Sequence, residues 1–405
     1  MDQDITPAIV LHWNYRGFTE FPLHRLNGEE SEITDIYLKE NLISRVPNEI
    51  CKLRNLESLY LSGNDITELP IQISELQYLK CLDISGNRLR ALPDEIGDMK
   101  CLKFLILDEN ELTTLPLRLN ELRFLRYLSV CDNKLQWLPQ RPVFNYHHCE
   151  FRFWRNTRLR SIPYTLWYHM FRDQQTRSLN IGCLNILSHQ HTSKIAKFRL
   201  KLYKFSSECE VELSCLPYQN IMLNTDKFSP PSLYEITKRQ LYNMVCEAAK
   251  RQTYDTDYKY QWENFHCNNR LKNLQDTFSD INIDKGENNN KDENGNSDTL
   301  SNVTHKINNK TRINSDYTPK DIIEEHFKYL PSFIRKELSN GPLSRCEYVE
   351  CRRPVFDYAY FEFCLGKLIL IDNVENIILS ATFCSKSCSD KWKIGRDVIP
   401  WTIKC

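Results

Sequence analysis

An asparagine recurs every 23 residues through the first part of this chain of 405 residues. Three apolar side chains precede it in the pattern apolar-x-x-apolar-x-apolar, as in Leu56, Leu59 and Leu61. An apolar-proline pair, such as Leu69-Pro70, follows it. Because successive units match in register, the pattern predicts one structural unit that is repeated and stacked. The recurring asparagines are Asn41, Asn64, Asn87, Asn110, Asn133 and Asn156.

The spacing within each unit predicts a short strand followed by a turn. The apolar triplet points inward from the strand, and the asparagine side chain can satisfy backbone groups of the neighbouring turn. The segment after the proline packs its apolar residues on the convex side. One unit cannot bury its own apolar face, whereas stacked units can. We therefore predict an α/β leucine-rich-repeat solenoid over residues 1–170, with short parallel strands on its concave face and atypical caps at both ends.

The concave strand face is the first candidate binding surface. Its outward positions lie between the inward leucines and include several aromatic side chains. Aromatic side chains on a rigid exposed sheet are typical of protein-binding hot spots. A purely structural solenoid with incidental surface aromatics is the alternative. The predicted protein-binding residues are Asp35, Tyr37, Tyr60, Asp83, Phe104, Ile106, Asp108, Tyr127, Arg152 and Trp154.

The charge balance and the motif content bear on the class of protein. Lys+Arg and Asp+Glu each total 53, so the formal net charge of zero gives no reason to expect a nucleic-acid or membrane-surface partner. The acidic start Met1-Asp2-Gln3-Asp4 gives no reason to expect a signal peptide, and no run reaches the ~18 apolar residues expected of a membrane-spanning helix. We expect a cytoplasmic, or also nuclear, protein with reduced thiols. Since no phosphate loop, nucleophile elbow or HExxH motif occurs, we expect no catalytic activity.

Three further parts follow the solenoid. Residues 171–229 alternate apolar and polar stretches and are interpreted as strands that cap the solenoid. Residues 230–330 contain two predicted helices, interrupted at 252–316 by an Asn-rich segment that is nearly free of apolar side chains over much of its length and is predicted to be disordered. Residues 331–405 are predicted to form a small α+β unit.

The two helices have clear start signals. Ser232 follows two prolines and stands three residues before Glu235, which predicts a capping box. The second helix follows the segment Tyr317-Thr-Pro319 and carries Ile322 and Ile323. The apolar face of the first helix is predicted to contain Leu233, Ile236, Thr237, Leu241, Met244 and Val245.

Two close cysteine pairs mark the last unit. Cys346 and Cys351 are separated by four residues, and Cys384 and Cys388 by three. Two such pairs can supply the thiolates of a tetrahedral zinc site, and four thiolates leave no open position, so the site would be structural. Four ordinary thiols are the alternative, and Cys364 is an alternative fourth ligand. So small a unit would need a metal to fold.

The order of these motifs resembles a known family. The solenoid, the Ser232-Leu233 helix, the Tyr317-Thr-Pro319 segment and the final four cysteines are similar to the family of leucine-rich repeat-containing protein 58 and its relative, protein 28. The resemblance covers most of the chain apart from the Asn-rich segment.

A second resemblance concerns the first helix. Ser232-Leu233-x-x-x-Thr237-x-x-x-Leu241 resembles the elongin-binding box that opens a SOCS box, with threonine where cysteine is usual. The resemblance implies that Ser232, Leu233, Ile236, Thr237 and Leu241 contact elongin C in an elongin B–elongin C complex, as a helix lying in a groove. It also implies that Tyr317, Pro319, Ile322 and Ile323 contact a cullin. A long insertion between the two halves is tolerated because closure entropy grows only logarithmically with loop length.

The resemblances imply a substrate receptor of an elongin–cullin–RING ubiquitin ligase, with the substrate on the concave face and all chemistry done by partner subunits. The alternative is a ligase-independent scaffold that docks an intracellular signalling protein, such as a small GTPase or a phosphatase, on the same face. The surface of the first helix discriminates between them, because a receptor must expose Leu233 and Ile236 and a scaffold has no reason to do so.

Overall fold

A computed structural model describes the chain in several ranges. They are 9–26, 28, 30–140, 149–170, 175–176, 197–204, 207–214, 220–221, 231–254, 318–370 and 374–404. Tyr317 and residues 255–316, on which predictions were made, lie outside these ranges. Residues 252–254, assigned above to the Asn-rich segment, instead end a helix.

One parallel sheet of seven strands runs through the repeats in the order of the sequence. Phe104 pairs with Cys81 on one side and with Tyr127 on the other, so each partner lies one repeat away. The leucine between the outward positions of each strand, such as Leu105, is fully buried. The sheet confirms the solenoid predicted from the repeat. Its strands are β1 Ile9–His12, β2 Ile33–Tyr37, β3 Ser58–Tyr60, β4 Cys81–Asp83, β5 Phe104–Ile106, β6 Tyr127–Ser129 and β7 Glu150–Arg152.

The repeated asparagines form a buried ladder that joins successive turns. Asn110 Oδ1 accepts a hydrogen bond from the Leu89 N–H of the preceding repeat (2.9 Å). Its Nδ2 donates to the Ile84 carbonyl of that repeat and to the Leu107 carbonyl of its own. Asn64, Asn87, Asn133 and Asn156 repeat these bonds. The ladder satisfies backbone groups that stacking removes from water.

Short 3₁₀ helices form the convex side of the solenoid. Four of them begin directly after the repeated prolines, because proline fixes an extended backbone just before the first helical turn. Each turns one aliphatic side chain fully inward, as Ile96 does. The 3₁₀ helices are Leu23–Arg25, Asn48–Lys52, Ile71–Glu75, Asp94–Asp98 and Leu117–Glu121.

Two further sheets and a hairpin lie beyond the solenoid. One sheet has the order β11-β10-β17, and the other has the order β12-β15-β16-β8 with β9 also paired to β15. The short pair β13 and β14 is antiparallel. The bounds are β8 Ile162–Pro163, β9 Gln175–Thr176, β10 Lys197–Lys204, β11 Ser207–Ser214, β12 Asn220–Ile221, β13 Ser344–Arg345, β14 Pro354–Val355, β15 Tyr358–Leu370, β16 Val374–Phe383 and β17 Trp401–Lys404.

These pairings differ from the predicted division of the chain. Strands from 171–229 were expected to cap the solenoid, but β10 and β12 pair with β17 and β15 of the last unit. The last unit is also continuous with the solenoid, since β16 pairs in parallel with β8 and Gln140 hydrogen-bonds Ser380 (2.9 Å). A metal is therefore not the sole support of this unit, because one buried apolar cluster spans the repeats and the last unit.

Three helices form a separate packed unit. Helices α2, α3 and α4 share a core that contains Val245, Ile322, Ile323, Leu338 and Phe356. No helix in the described residues is long and apolar enough to cross a membrane. The helices are α1 Tyr164–Met170, α2 Leu233–Tyr254, α3 Pro319–His326, α4 Ser332–Asn340 and α5 Lys386–Lys393.

The three-helix unit contacts the convex side of the repeats through charged groups. Lys320 of α3 donates to Asp98, which ends a 3₁₀ helix (2.7 Å). Asp98 also pairs with Arg118 of the next repeat, whose side chain is nearly fully buried and pairs with Glu121 as well. Burial works to raise the pKa of Asp98, but hydrogen bonds from Arg118 and Lys320 outweigh it and hold that pKa below its ordinary value.

Candidate functional site

The outward positions of the repeat strands align in columns across the concave sheet. One column contains Asp35, Phe104 and Tyr127, and the next contains Tyr37, Tyr60 and Ile106. Phe104 is 42% exposed, although it lies in the middle of the sheet. An apolar ring so exposed on a rigid sheet is available to a partner.

The first half of this face holds a stack of rings. The Tyr37 ring lies 4.6 Å from that of Tyr60, and the His12 ring lies 4.9 Å from that of Tyr37. Lys39 lies over Tyr60 and pairs with Asp83 (3.2 Å). Asp83 is buried, so this predicted contact residue supports Lys39 and offers a partner little surface.

The second half of the face is organised by Asp108. Its Oδ1 accepts from the Ser129 hydroxyl (2.6 Å) and from the Cys131 N–H (2.7 Å). Arg152 lies over the Tyr127 ring at 5.2 Å. Arg152 is exposed and Trp154 is half-buried, so both are accessible at the end of the sheet that β7 forms.

The outer face of helix α2 carries an uncovered apolar stripe. Leu233 is 79% exposed, Ile236 47% and Met244 57%. Thr237 is also exposed, and Leu241 lies half-buried at the border of the stripe. The Thr237 hydroxyl donates to the Leu233 carbonyl (2.8 Å), so it contributes its methyl group to the surface. Met244 lies on this stripe as predicted, but Val245 is fully buried on the opposite side.

The inner face of α2 is charged and buried. Ser232 Oγ accepts from the Glu235 N–H (3.1 Å), which caps the helix as predicted. Glu235 does not complete the predicted capping box, because its carboxylate accepts from the N–H groups of Phe356 and Asp357 (both 3.0 Å) and pairs with Arg239 (2.6 Å). Long-range contacts have replaced the local one.

The predicted cullin-contacting residues of helix α3 differ in how deeply they are buried. Thr318 and Asp321 form a capping box around Pro319, which stays half-buried. Ile322 and Ile323 are fully buried against α2 and α4. Their prediction as cullin contacts is corrected, because side chains without exposed area hold the helices together and cannot touch a partner. Tyr317 lies outside the described residues.

The four predicted metal ligands meet at one point. The sulfur atoms of Cys346, Cys351, Cys384 and Cys388 all lie within 4.8 Å of one another. Cys346 and Cys351 lie on either side of the turn between β13 and β14, and Cys384 follows β16. Cys388 lies in the first turn of α5. Each pair therefore comes from one short segment, and the sheet brings the two segments together.

Cys364, the alternative ligand, is elsewhere. It lies in β15 opposite Leu379 and is not part of the group of four. Burial raises the pKa of its thiol to about 12, which keeps it protonated and inert.

The sequence and its fold resemble known repeat proteins. Residues 35–106 match the family model of the leucine-rich repeat region. Together with the seven-stranded sheet, this match identifies a leucine-rich-repeat protein. A comparison with curated proteins finds no match.

Similar solved structures cover part of the chain. A leucine-rich-repeat protein of Leptospira interrogans is 33% identical over 36% of this chain and 37% of that chain, with a TM-score of 0.30. A plant peptide hormone receptor in complex with RGF2 is 26% identical over 33% and 21%, with a TM-score of 0.29. An internalin of Listeria monocytogenes is 20% identical over 33% and 35%, with a TM-score of 0.25. The chain thus spans between about a fifth and two fifths of these proteins.

Proposed function

We propose that this protein is a substrate receptor of an elongin–cullin–RING ubiquitin ligase. The observation that carries the proposal is the exposed stripe of Leu233, Ile236 and Met244 on α2. The opposite face of the same helix is buried, so the stripe is not the surface that the fold needs. A helix with exposed apolar side chains at this spacing suits a hydrophobic groove such as that of elongin C.

The concave face of the repeats would hold the protein substrate. On that face Phe104 and Arg152 are exposed and Tyr127 and Trp154 are half-buried, and aromatic and arginine side chains dominate binding hot spots. The chain would contribute no chemistry of its own, since ubiquitin transfer belongs to the RING partner.

The first test is binding of the full chain to purified elongin B–elongin C. Leu233→Asp places a charge on the most exposed side chain of the stripe and should abolish binding, whereas Ile71→Asp should bind like the wild type. Ile71 is a matched control because it is 56% exposed, on a 3₁₀ helix of the convex side. Each variant removes one exposed aliphatic side chain, so neither should unfold the protein.

The outcomes separate the two candidate functions. Loss of binding in Leu233→Asp alone supports the receptor. If the wild-type chain does not bind, the receptor reading is wrong, and a ligase-independent scaffold that docks a signalling protein on the concave face is the better account. Equal binding by all three chains would move the elongin site away from α2.

A further inference from the structure

The four-cysteine cluster has the dimensions of a tetrahedral metal site. Cys351 and Cys384 have their sulfur atoms 3.4 Å apart, and Cys384 and Cys388 have theirs 3.8 Å apart. A tetrahedral zinc ion with bonds of about 2.3 Å to each thiolate would separate the sulfurs by about 3.8 Å. The donor set therefore fits zinc.

An arginine side chain lies beside the cluster. The Arg353 side chain lies against Cys351, close to Cys384 and Cys388. Since four thiolates around a divalent ion keep a net negative charge, a neighbouring guanidinium stabilises the loaded site.

The same cluster is joined directly to helix α2. Arg239 of α2 donates to the carbonyl oxygen of Cys384 (3.2 Å) and to that of Tyr358 (2.8 Å). Its partner Glu235 is fully buried and accepts from two N–H groups that follow β14. The first turns of the helix thus bind the backbone at Cys384, in one cysteine pair, and the backbone at Phe356 and Asp357, which follows the other pair.

We infer that Cys346, Cys351, Cys384 and Cys388 bind one zinc ion, and that this ion fixes helix α2 so that its apolar stripe faces a partner. The identity of that partner as elongin C rests on the proposed function; the zinc site and its hold on α2 do not. Without the ion, nothing bonds the two cysteine segments to each other through their sulfur atoms, and the position of the Cys384 carbonyl oxygen becomes less fixed. Arg239 and Glu235, which are buried charges, then lose part of their fixed partners, and the helix loosens.

The test measures zinc and helix mobility in the full chain. Protein purified without chelator should contain about one zinc per chain, and Cys384→Ser should lose it. Removal of zinc by a chelator should speed amide hydrogen exchange in residues 233–246 by at least about tenfold, which corresponds to ~1.4 kcal/mol of local opening. Exchange in β3 to β5 of the solenoid should stay within about twofold.

Two variants sharpen the reading. Cys364→Ser is the matched control, because it also removes a buried thiol and should retain zinc. Arg239→Met should retain zinc but show fast exchange in α2 without any chelator. Because chelation is done on the folded wild-type protein, the test does not depend on the folding of Cys384→Ser.

Each result decides one part of the inference. Four free thiols or two disulfides in place of zinc, or zinc that persists in Cys384→Ser, would overturn the site. If zinc can be removed without any change in amide hydrogen exchange of α2, the inference that zinc fixes the helix is wrong. If zinc removal speeds exchange in α2 as expected but the zinc-loaded wild-type chain does not bind elongin B–elongin C, the proposed function is wrong while this inference stands.

Discussion

Replacement of one ladder asparagine by alanine tests the account of the solenoid. In Asn110→Ala, the Leu89 N–H loses its buried acceptor at 2.9 Å. The lost Nδ2 group also donated to the carbonyls of Ile84, Leu107 and Asp108 at 2.9 to 3.1 Å. A buried donor left without a partner costs about 1–3 kcal/mol.

The three carbonyls lose less than the Leu89 N–H does. Ile84 still accepts from Asn87, Leu107 still accepts from Asn133, and Asp108 still accepts from the Gly86 N–H. The loss of one hydrogen bond at each of these carbonyls, together with the small cavity, adds about 1 kcal/mol to the destabilisation. We therefore expect Asn110→Ala to destabilise the repeats by about 3 kcal/mol, or roughly a hundredfold in opening equilibrium.

Native-state hydrogen exchange of β4 and β5 measures this change as a free energy of opening. Asn48→Ala is the matched control, because Asn48 is exposed at the start of a 3₁₀ helix and its loss should cost less than ~0.5 kcal/mol. Equal protection in the two variants would refute the reasoning, since it would mean that water or a backbone shift replaces the ladder bonds.

Two further predictions follow from burial and charge. Phe104→Ala should change the free energy of unfolding by less than ~1 kcal/mol while weakening substrate binding. Leu105 is its fully buried neighbour, and Leu105→Ala should lower the free energy of unfolding, measured in urea, by about 2–5 kcal/mol. Equal losses would place Phe104 in the core. Because the pKa of Asp98 is lowered in the folded protein, its contribution to stability is present above the unfolded value of about 4 and lost as the pH falls below it. The urea midpoint of the wild type should therefore fall more steeply below about pH 4 than that of Asp98→Asn, and parallel curves would contradict the assignment.

The solenoid was predictable because its contacts are periodic. A residue such as Asn110 bonds to backbone groups close to one repeat away, so spacing alone fixes its partners. The four cysteines were also predictable as a group, because each pair is local in the chain and thiols that close together suit one ion.

The surroundings of α2 were not predictable from spacing. Glu235 stands at the position of a capping box, yet its carboxylate bonds the N–H groups of Phe356 and Asp357, far along the chain. Ile322 and Ile323 resemble a contact segment but form the core with α2. In each case a contact between distant segments decided the role of the residue, and a single sequence does not record such contacts.

The attachment of the three-helix unit at two places has a mechanical consequence. A solenoid flexes through small rotations between neighbouring repeats. Here Lys320 ties the helices to Asp98 in the middle of the array, while β16 ties the last unit to β8 at its end. The charged inner face of α2 joins the two attachments. The repeats between Asp98 and β8 are therefore held at two points, which restricts rotation between them. Bending of the solenoid should concentrate in the repeats that precede Asp98.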